Sequence, residues 1–192
     1  ALKFMDYSEQ LKHMILTSPE LLERLEYLRC IHTQAYFSAG VIRNLVWSIL
    51  HNQRYCIDRT EIDVIFYDAD VKHHPIKEQR LTELLSRQFP ENTWDVVNQA
   101  FVHEWYRLDD GSTISQYCSL LDALSVWVET ATAIAVRLTE NNELDIVVPF
   151  GLDDLFELKL RWNDRLVSHA VFLERVRSKR FLERWGQLQL MD

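Results

Sequence analysis

Between Ala39 and Asp70 the chain reads Ala39-Gly40-Val41-Ile42-Arg43-Asn44, then an amphipathic stretch, then Glu61-Ile62-Asp63-Val64-Ile65-Phe66-Tyr67-Asp68. This order constrains the fold more than any other segment. A glycine opens a helix, a short loop returns the chain, and an apolar strand begins with two acids. Glu61 and Asp63 stand at i and i+2, so on a strand they point to one face. Two carboxylates aimed together from a strand, near a helix N-terminus, can hold Mg²⁺ against a phosphate chain.

The neighbouring segments carry their own periods. Phe4, Leu11, Met14 and Ile15 predict a helix over Phe4 to Thr17, and Ser18-Pro19 reads as the start of a second, with Leu21, Leu22, Leu25 and Leu28 on one face. Residues 1–33 thus form a helical lead-in to a mixed-sheet body over 34–192, within one domain. Ala35 to Ala39 reads as a short strand running into Gly40. Ile42, Leu45, Val46, Ile49 and Leu50 then repeat at helical spacing. Leu81, Leu84, Leu85 and Phe89 mark another helix that Pro90 ends. Trp94 to Val97 predicts a strand, Asn98 to Tyr106 fits strand or helix, and Ser119 to Val128 predicts a helix.

In the last third, Thr132 to Leu138 and Glu143 to Val148 predict two strands joined by a turn at Glu140-Asn141-Asn142, where Asn tolerates positive φ. Phe156, Leu158, Leu160 and Trp162 alternate with charged residues, the pattern of a half-buried strand. A final helix is expected over Ala170 to Leu182. The sum is an α+β domain, a mixed β-sheet with helices mostly on one face.

Composition narrows the partners. The 192 residues carry 21 Lys and Arg against 29 Asp and Glu, a net charge of −8. That balance disfavours a nucleic-acid platform, which needs clustered cations, but is compatible with nucleotide binding through a metal. The three cysteines, Cys30, Cys56 and Cys118, form no CxxC pair, so neither a zinc site nor a disulfide framework is indicated; reduced, buried thiols in a cytoplasmic protein are expected. No apolar run is long enough to span a bilayer, and no signal-peptide pattern is seen at the N-terminus.

Taken together, Gly40-Val41-Ile42-Arg43-Asn44 with Trp47, Glu61-Ile62-Asp63-Val64, Trp94-Asp95-Val96-Val97-Asn98-Gln99-Ala100 with His103, Glu129-Thr130-Ala131-Thr132-Ala133 and Pro149-Phe150-Gly151-Leu152-Asp153-Asp154-Leu155-Phe156 resemble the polymerase-β-like nucleotidyltransferase superfamily. Within it the chain is similar to a bacterial branch of nucleotidyltransferases. The resemblance covers roughly residues 36 to 190. It implies transfer of a nucleoside monophosphate from a nucleoside triphosphate to an acceptor hydroxyl. It implies that Glu61, Asp63 and Asp95 are the catalytic and metal-binding carboxylates, and that Gly40 lets the backbone approach the triphosphate. Mg²⁺ is the implied cofactor, since carboxylate oxygens suit it rather than zinc.

One position departs from the superfamily pattern: Val41 stands where Ser or a second Gly is usual. Arg43 and Asn44, in the first helical turn, are the expected substitutes as phosphate ligands. Other polar residues have structural readings. Asn98, Gln99 and His103 suit either a polar site or a buried hydrogen-bond network. Asp68, Asp70 and His73-His74 belong to a loop, and Gly151 to Asp154 to a turn with an acid at a helix start. The sequence therefore points to a Mg²⁺-dependent nucleotidyltransferase using a nucleoside triphosphate and an unidentified acceptor. The alternative is a catalytically silent nucleotide-binding or interaction module on the same fold.

Overall fold

The computed structural model describes residues 6–70, 72 and 75–191. Its first elements are helices α1 (Tyr7–Leu16) and α2 (Pro19–Ile31), strand β1 (Tyr36–Ser38), helix α3 (Gly40–Leu50), strand β2 (Glu61–Phe66), helix α4 (Ile76–Gln88) and strand β3 (Thr93–Asn98). Asp6 caps α1 by accepting from the Glu9 amide at 2.9 Å. Helix α2 has Pro19 in its first turn. Phe4, expected in the first helix, lies outside the described residues, as do His73 and His74.

After β3 come a 3₁₀ turn (Gln99–Phe101) and helices α5 (Val102–Trp105) and α6 (Leu120–Leu124). A second 3₁₀ turn (Thr130–Thr132) leads to strands β4 (Ala135–Leu138) and β5 (Leu144–Val147). Helix α7 (Asp153–Phe156), strand β6 (Lys159–Arg161), helices α8 (His169–Ser178) and α9 (Phe181–Arg184) and strand β7 (Gln189–Met191) complete the described chain.

Among the described residues, five strands form one sheet in the order β3-β2-β1-β4-β5, and β6 pairs with β7 separately. Strands β2 and β3 run parallel and the other neighbours antiparallel, so the main sheet is mixed. Its alternation is clean. Phe37, Ile62, Val64, Phe66, Trp94, Val96, Val136 and Leu138 face a core that they share with Leu11, Leu25, Leu45 and Leu85 from helices α1 to α4. Tyr36, Ile65 and Ala135 belong to the opposite face, where Leu124 of α6 and Trp127 cover part of the sheet. Beyond that cover the face borders a cleft, and the acids emerge there.

Several segments differ from the sequence pattern, each for a local reason. The helix expected over Ser119 to Val128 stops at Leu124. The buried Asn163 amide then takes the Ser125 and Trp127 carbonyls at 2.9 and 2.8 Å, which replaces further helical bonds. The strand expected from Thr132 begins only at Ala135, because Thr130–Thr132 winds into the 3₁₀ turn. The alternation from Phe156 to Trp162 is cut by Leu158 at φ 58°, leaving helix α7 before it and a short strand after it. The final helix divides at Arg180, which adopts the left-handed conformation.

The turn between β4 and β5 has Asn142 at positive φ, as its sequence predicts. All three cysteines are exposed free thiols, not buried ones. Cys30 lies off the Leu21, Leu25 and Leu28 stripe of α2, and Cys56 and Cys118 lie in loops. No helix among the described residues is long and apolar enough to cross a membrane.

Candidate active site

The parallel ladder pairs Asp63 of β2 with Asp95 of β3, and the antiparallel ladder pairs Asp63 with Ser38 of β1. Asp63 and Asp95 line one cleft of about 360 Å³ together with Ala39, Thr132, Glu129 and Arg175. Glu61, two residues before Asp63, is exposed at the mouth of β2. Alternation on β2 and register with β3 therefore bring the three acids to one face of the sheet.

Their charges are felt. Burial, together with the neighbouring Asp95 and Glu61 carboxylates, pushes Asp63 up to about 6, while Arg43 and Arg175 oppose the rise. Asp95 is raised as well, by burial and by Glu61.

Among the described residues no three His, Cys, Asp or Glu side chains gather closely enough to hold a metal ion unaided. The donor set still fits Mg²⁺. This ion is commonly bound by one or two carboxylates and completed by substrate phosphates and water. The Asp63 and Asp95 pair would supply the two, with Glu61 adding negative charge beside them.

The turn ahead of α3 differs from the pattern its sequence suggests. Gly40 lies in the first helical turn without positive φ, and a Cβ there would meet Arg43 Nη2 at 3.6 Å and Asn44 Nδ2 at 3.8 Å, ordinary contacts. The left-handed residue is Ala39, at φ 55° and ψ −120°. For a residue with a Cβ this conformation costs on the order of 1–3 kcal/mol. It turns the chain sharply from β1 into α3 beside Asp63. Ala39 gives no side-chain cap, so the first amides of α3 have no side-chain acceptor at the N-cap. Val41 is 1% exposed and belongs to the core. The departure from Ser or Gly therefore puts no apolar group in the cleft.

Arg43 lies near Asp63, but neither it nor Asn44 lines the acids' cleft. Arg43 is 4% exposed. It donates to Thr132 Oγ1 at 2.8 Å and to Asn44 Oδ1 at 3.0 and 3.2 Å, and its guanidinium lies 4.5 Å from the Phe181 ring centroid. Burial lowers it to about 10. Asn44 lines a separate depression with Ser48, Arg54, Tyr55 and Arg184.

The cation that does line the cleft is Arg175 of α8, whose Nε donates to Glu129 Oε1 at 2.8 Å. Sequence reasoning missed it. Its one available signal was the Glu129-Thr130-Ala131-Thr132-Ala133 segment, and the partner 46 residues away is set by tertiary folding. Aromatic side chains wall the rest of the cleft: Trp105, Tyr106, Tyr117 and Trp127.

The Asn98 side chain is engaged in a buried hydrogen-bond network. Its Oδ1 accepts from the Asp68 and Ala100 amides at 3.0 and 3.2 Å, and its Nδ2 donates to the Asp68 carbonyl at 2.8 Å. This buried network fastens the end of β3 to the loop after β2.

Residues 29–190 match the sequence pattern of a family described as nucleotidyltransferase. The chain belongs to that nucleotidyltransferase family. Its fold is that of a nucleotidyltransferase head domain. A solved structure described as a CCA-adding enzyme head domain aligns over 100% of both chains at TM-score 0.79 with 24% identity. A CCA-adding enzyme in complex with ATP aligns at TM-score 0.57 and 16% identity over 95% of this chain and 43% of its own. The Thermotoga maritima CCA-adding enzyme complexed with tRNA aligns at TM-score 0.53 and 19% identity over 98% of this chain and 43% of its own. The nucleotidyltransferase chain thus spans less than half the length of those full enzymes. No curated protein sequence matches it.

Proposed function

We propose that the cleft transfers a nucleoside monophosphate from a nucleoside triphosphate to an acceptor hydroxyl. The observation that carries this reading is the registered Asp63 and Asp95 pair, set beside the uncapped N-terminus of α3 in one cleft. Carboxylates and helix amides together suit a polyphosphate that arrives with a divalent cation. Solved relatives in complex with ATP and with CTP agree with a triphosphate donor.

Asp63 and Asp95 would hold Mg²⁺, with Glu61 strengthening the local negative potential. When bound, the ion would polarise the α-phosphate and lower the acceptor hydroxyl's pKa. The first amides of α3 would receive the phosphate chain. Asp95, exposed on β3, would accept the acceptor's proton. The acceptor oxygen forms its bond to the α-phosphorus as the bond to the bridging oxygen breaks, and pyrophosphate leaves. The net charge of −8 favours a small or proteinaceous acceptor over a long nucleic acid held by this chain alone.

One observation favours the silent nucleotide-binding alternative: no ready three-ligand group exists among the described residues. Thermal shift with ATP, CTP, GTP and UTP, with and without Mg²⁺, separates the two. A triphosphate at 100 times its Kd adds about 2.7 kcal/mol. The enzyme reading expects a Mg²⁺-dependent shift, pyrophosphate release, and loss of both in Asp63→Asn. Binding without pyrophosphate release favours the silent module, and no binding overturns both.

A further inference from the structure

The cleft is lined by the carboxylates of Asp63, Asp95 and Glu129, and a polyphosphate entering it needs opposing positive charge beyond that of a metal. Among the described residues that line the cleft, Arg175 is the one with a cationic side chain. Its helix packs on the core through Phe172 and Val176, 0% and 5% exposed, on either side of Arg175. Glu129, almost fully buried, accepts from its Nε at 2.8 Å. No described residue accepts from Nη1 or Nη2. The other arginine near Asp63, Arg43, has its guanidinium occupied by Thr132 and Asn44.

We propose that Arg175 is the polyphosphate-binding cation of this cleft and that Glu129 is its positioning residue. The proposal rests on the triphosphate reading given above. A guanidinium anchored through Nε still presents its two Nη groups, the planar fork that matches phosphate oxygens bidentately. Glu129 makes a single side-on contact rather than a closed fork. Its Oε2 is buried and has no hydrogen-bond partner among the described residues. Arg175 can therefore pivot about Nε toward an anion while Glu129 still holds it. A buried carboxylate oxygen left without a hydrogen-bond partner is uncommon in native structures and points to a group absent from the free cleft. The pair also lies on the cleft side of Asp63, where Arg175 and Arg43 offset the carboxylates' mutual repulsion.

Titration of inorganic tripolyphosphate, of an NTP and of the matching nucleoside into the full chain with Mg²⁺ tests this. Arg175→Met is expected to weaken tripolyphosphate and the NTP by about 10- to 100-fold, with nucleoside binding unchanged. Arg175→Lys, which keeps the charge but loses the fork, is expected to fall between. Glu129→Gln keeps an oxygen for Nε and should retain tripolyphosphate binding. Glu129→Ala should lose it and still bind nucleoside, a split that a general loss of structure does not produce. A folded Arg175→Met that binds tripolyphosphate as wild type does overturns the proposal. Should Arg175→Met not fold, wild-type affinity in Arg175→Lys overturns the forked contact. Wild-type protein that binds neither tripolyphosphate nor any NTP overturns the triphosphate reading itself, a failure visible without any variant.

Discussion

Asp63 and Asp95 occupy the same rung of a parallel ladder, two carboxylates held side by side on adjacent strands. Burial and this crowding raise Asp63 from 3.8 to about 6. The folded chain therefore holds more protons than the unfolded chain between those values. Its stability is highest at low pH with respect to this group and falls as pH rises through about 6. Asp63→Asn removes the penalised charge. In metal-free buffer its Tm should exceed that of wild type by ~2–4 °C at pH 8, and the gain should vanish below the unfolded pKa of 3.8. Equal melting temperatures at pH 8 would show that the two charges are not crowded.

Arg43 is a buried cation held by polar and aromatic partners, and its removal strands Thr132 and Asn44. Arg43→Ala should destabilise the fold by about 3 kcal/mol, read as a lower urea midpoint at unchanged slope. Arg43→Lys should also be destabilised, because a compact ammonium lacks the planar fork that spans Thr132 and Asn44 and the face that stacks on Phe181.

Ala39 stores strain at the turn between β1 and α3. Ala39→Gly should stabilise by about 1 kcal/mol, since glycine takes this backbone freely and loses only part of that gain to chain entropy. Chemical denaturation measures it. A destabilised glycine variant would mean that the turn is relaxed with alanine.

Asn98 ties the β3 end to the loop after β2 through two hydrogen bonds with Asp68 and accepts a third from the Ala100 amide of the turn that follows β3. Asn98→Ala should cost about 2–3 kcal/mol by leaving buried amides unpaired. Hydrogen exchange at the Asp68 and Ala100 amides should accelerate first, ahead of the core of β2.

Much of this architecture is written locally. The Leu21, Leu25 and Leu28 stripe, the period of Ile42, Leu45 and Val46, and Asn142 in its turn each make an element that neighbours in sequence suffice to specify. Errors cluster where distant groups overrule a pattern. Asn163 ends α6 by taking carbonyls from 36 and 38 residues away. Leu158 breaks an alternation that reads as a strand.

The sequence by itself determined that Glu61 and Asp63 share a face, because the period of a strand is 2 and needs no other information. Tertiary structure alone decided that Asp95 is their neighbour, since register between β2 and β3 depends on the packing of both strands against α4 and the core. It also decided which arginine meets the cleft. Arg43 follows the helix stripe inward and Arg175 arrives from the other end of the chain, and no local period encodes that choice.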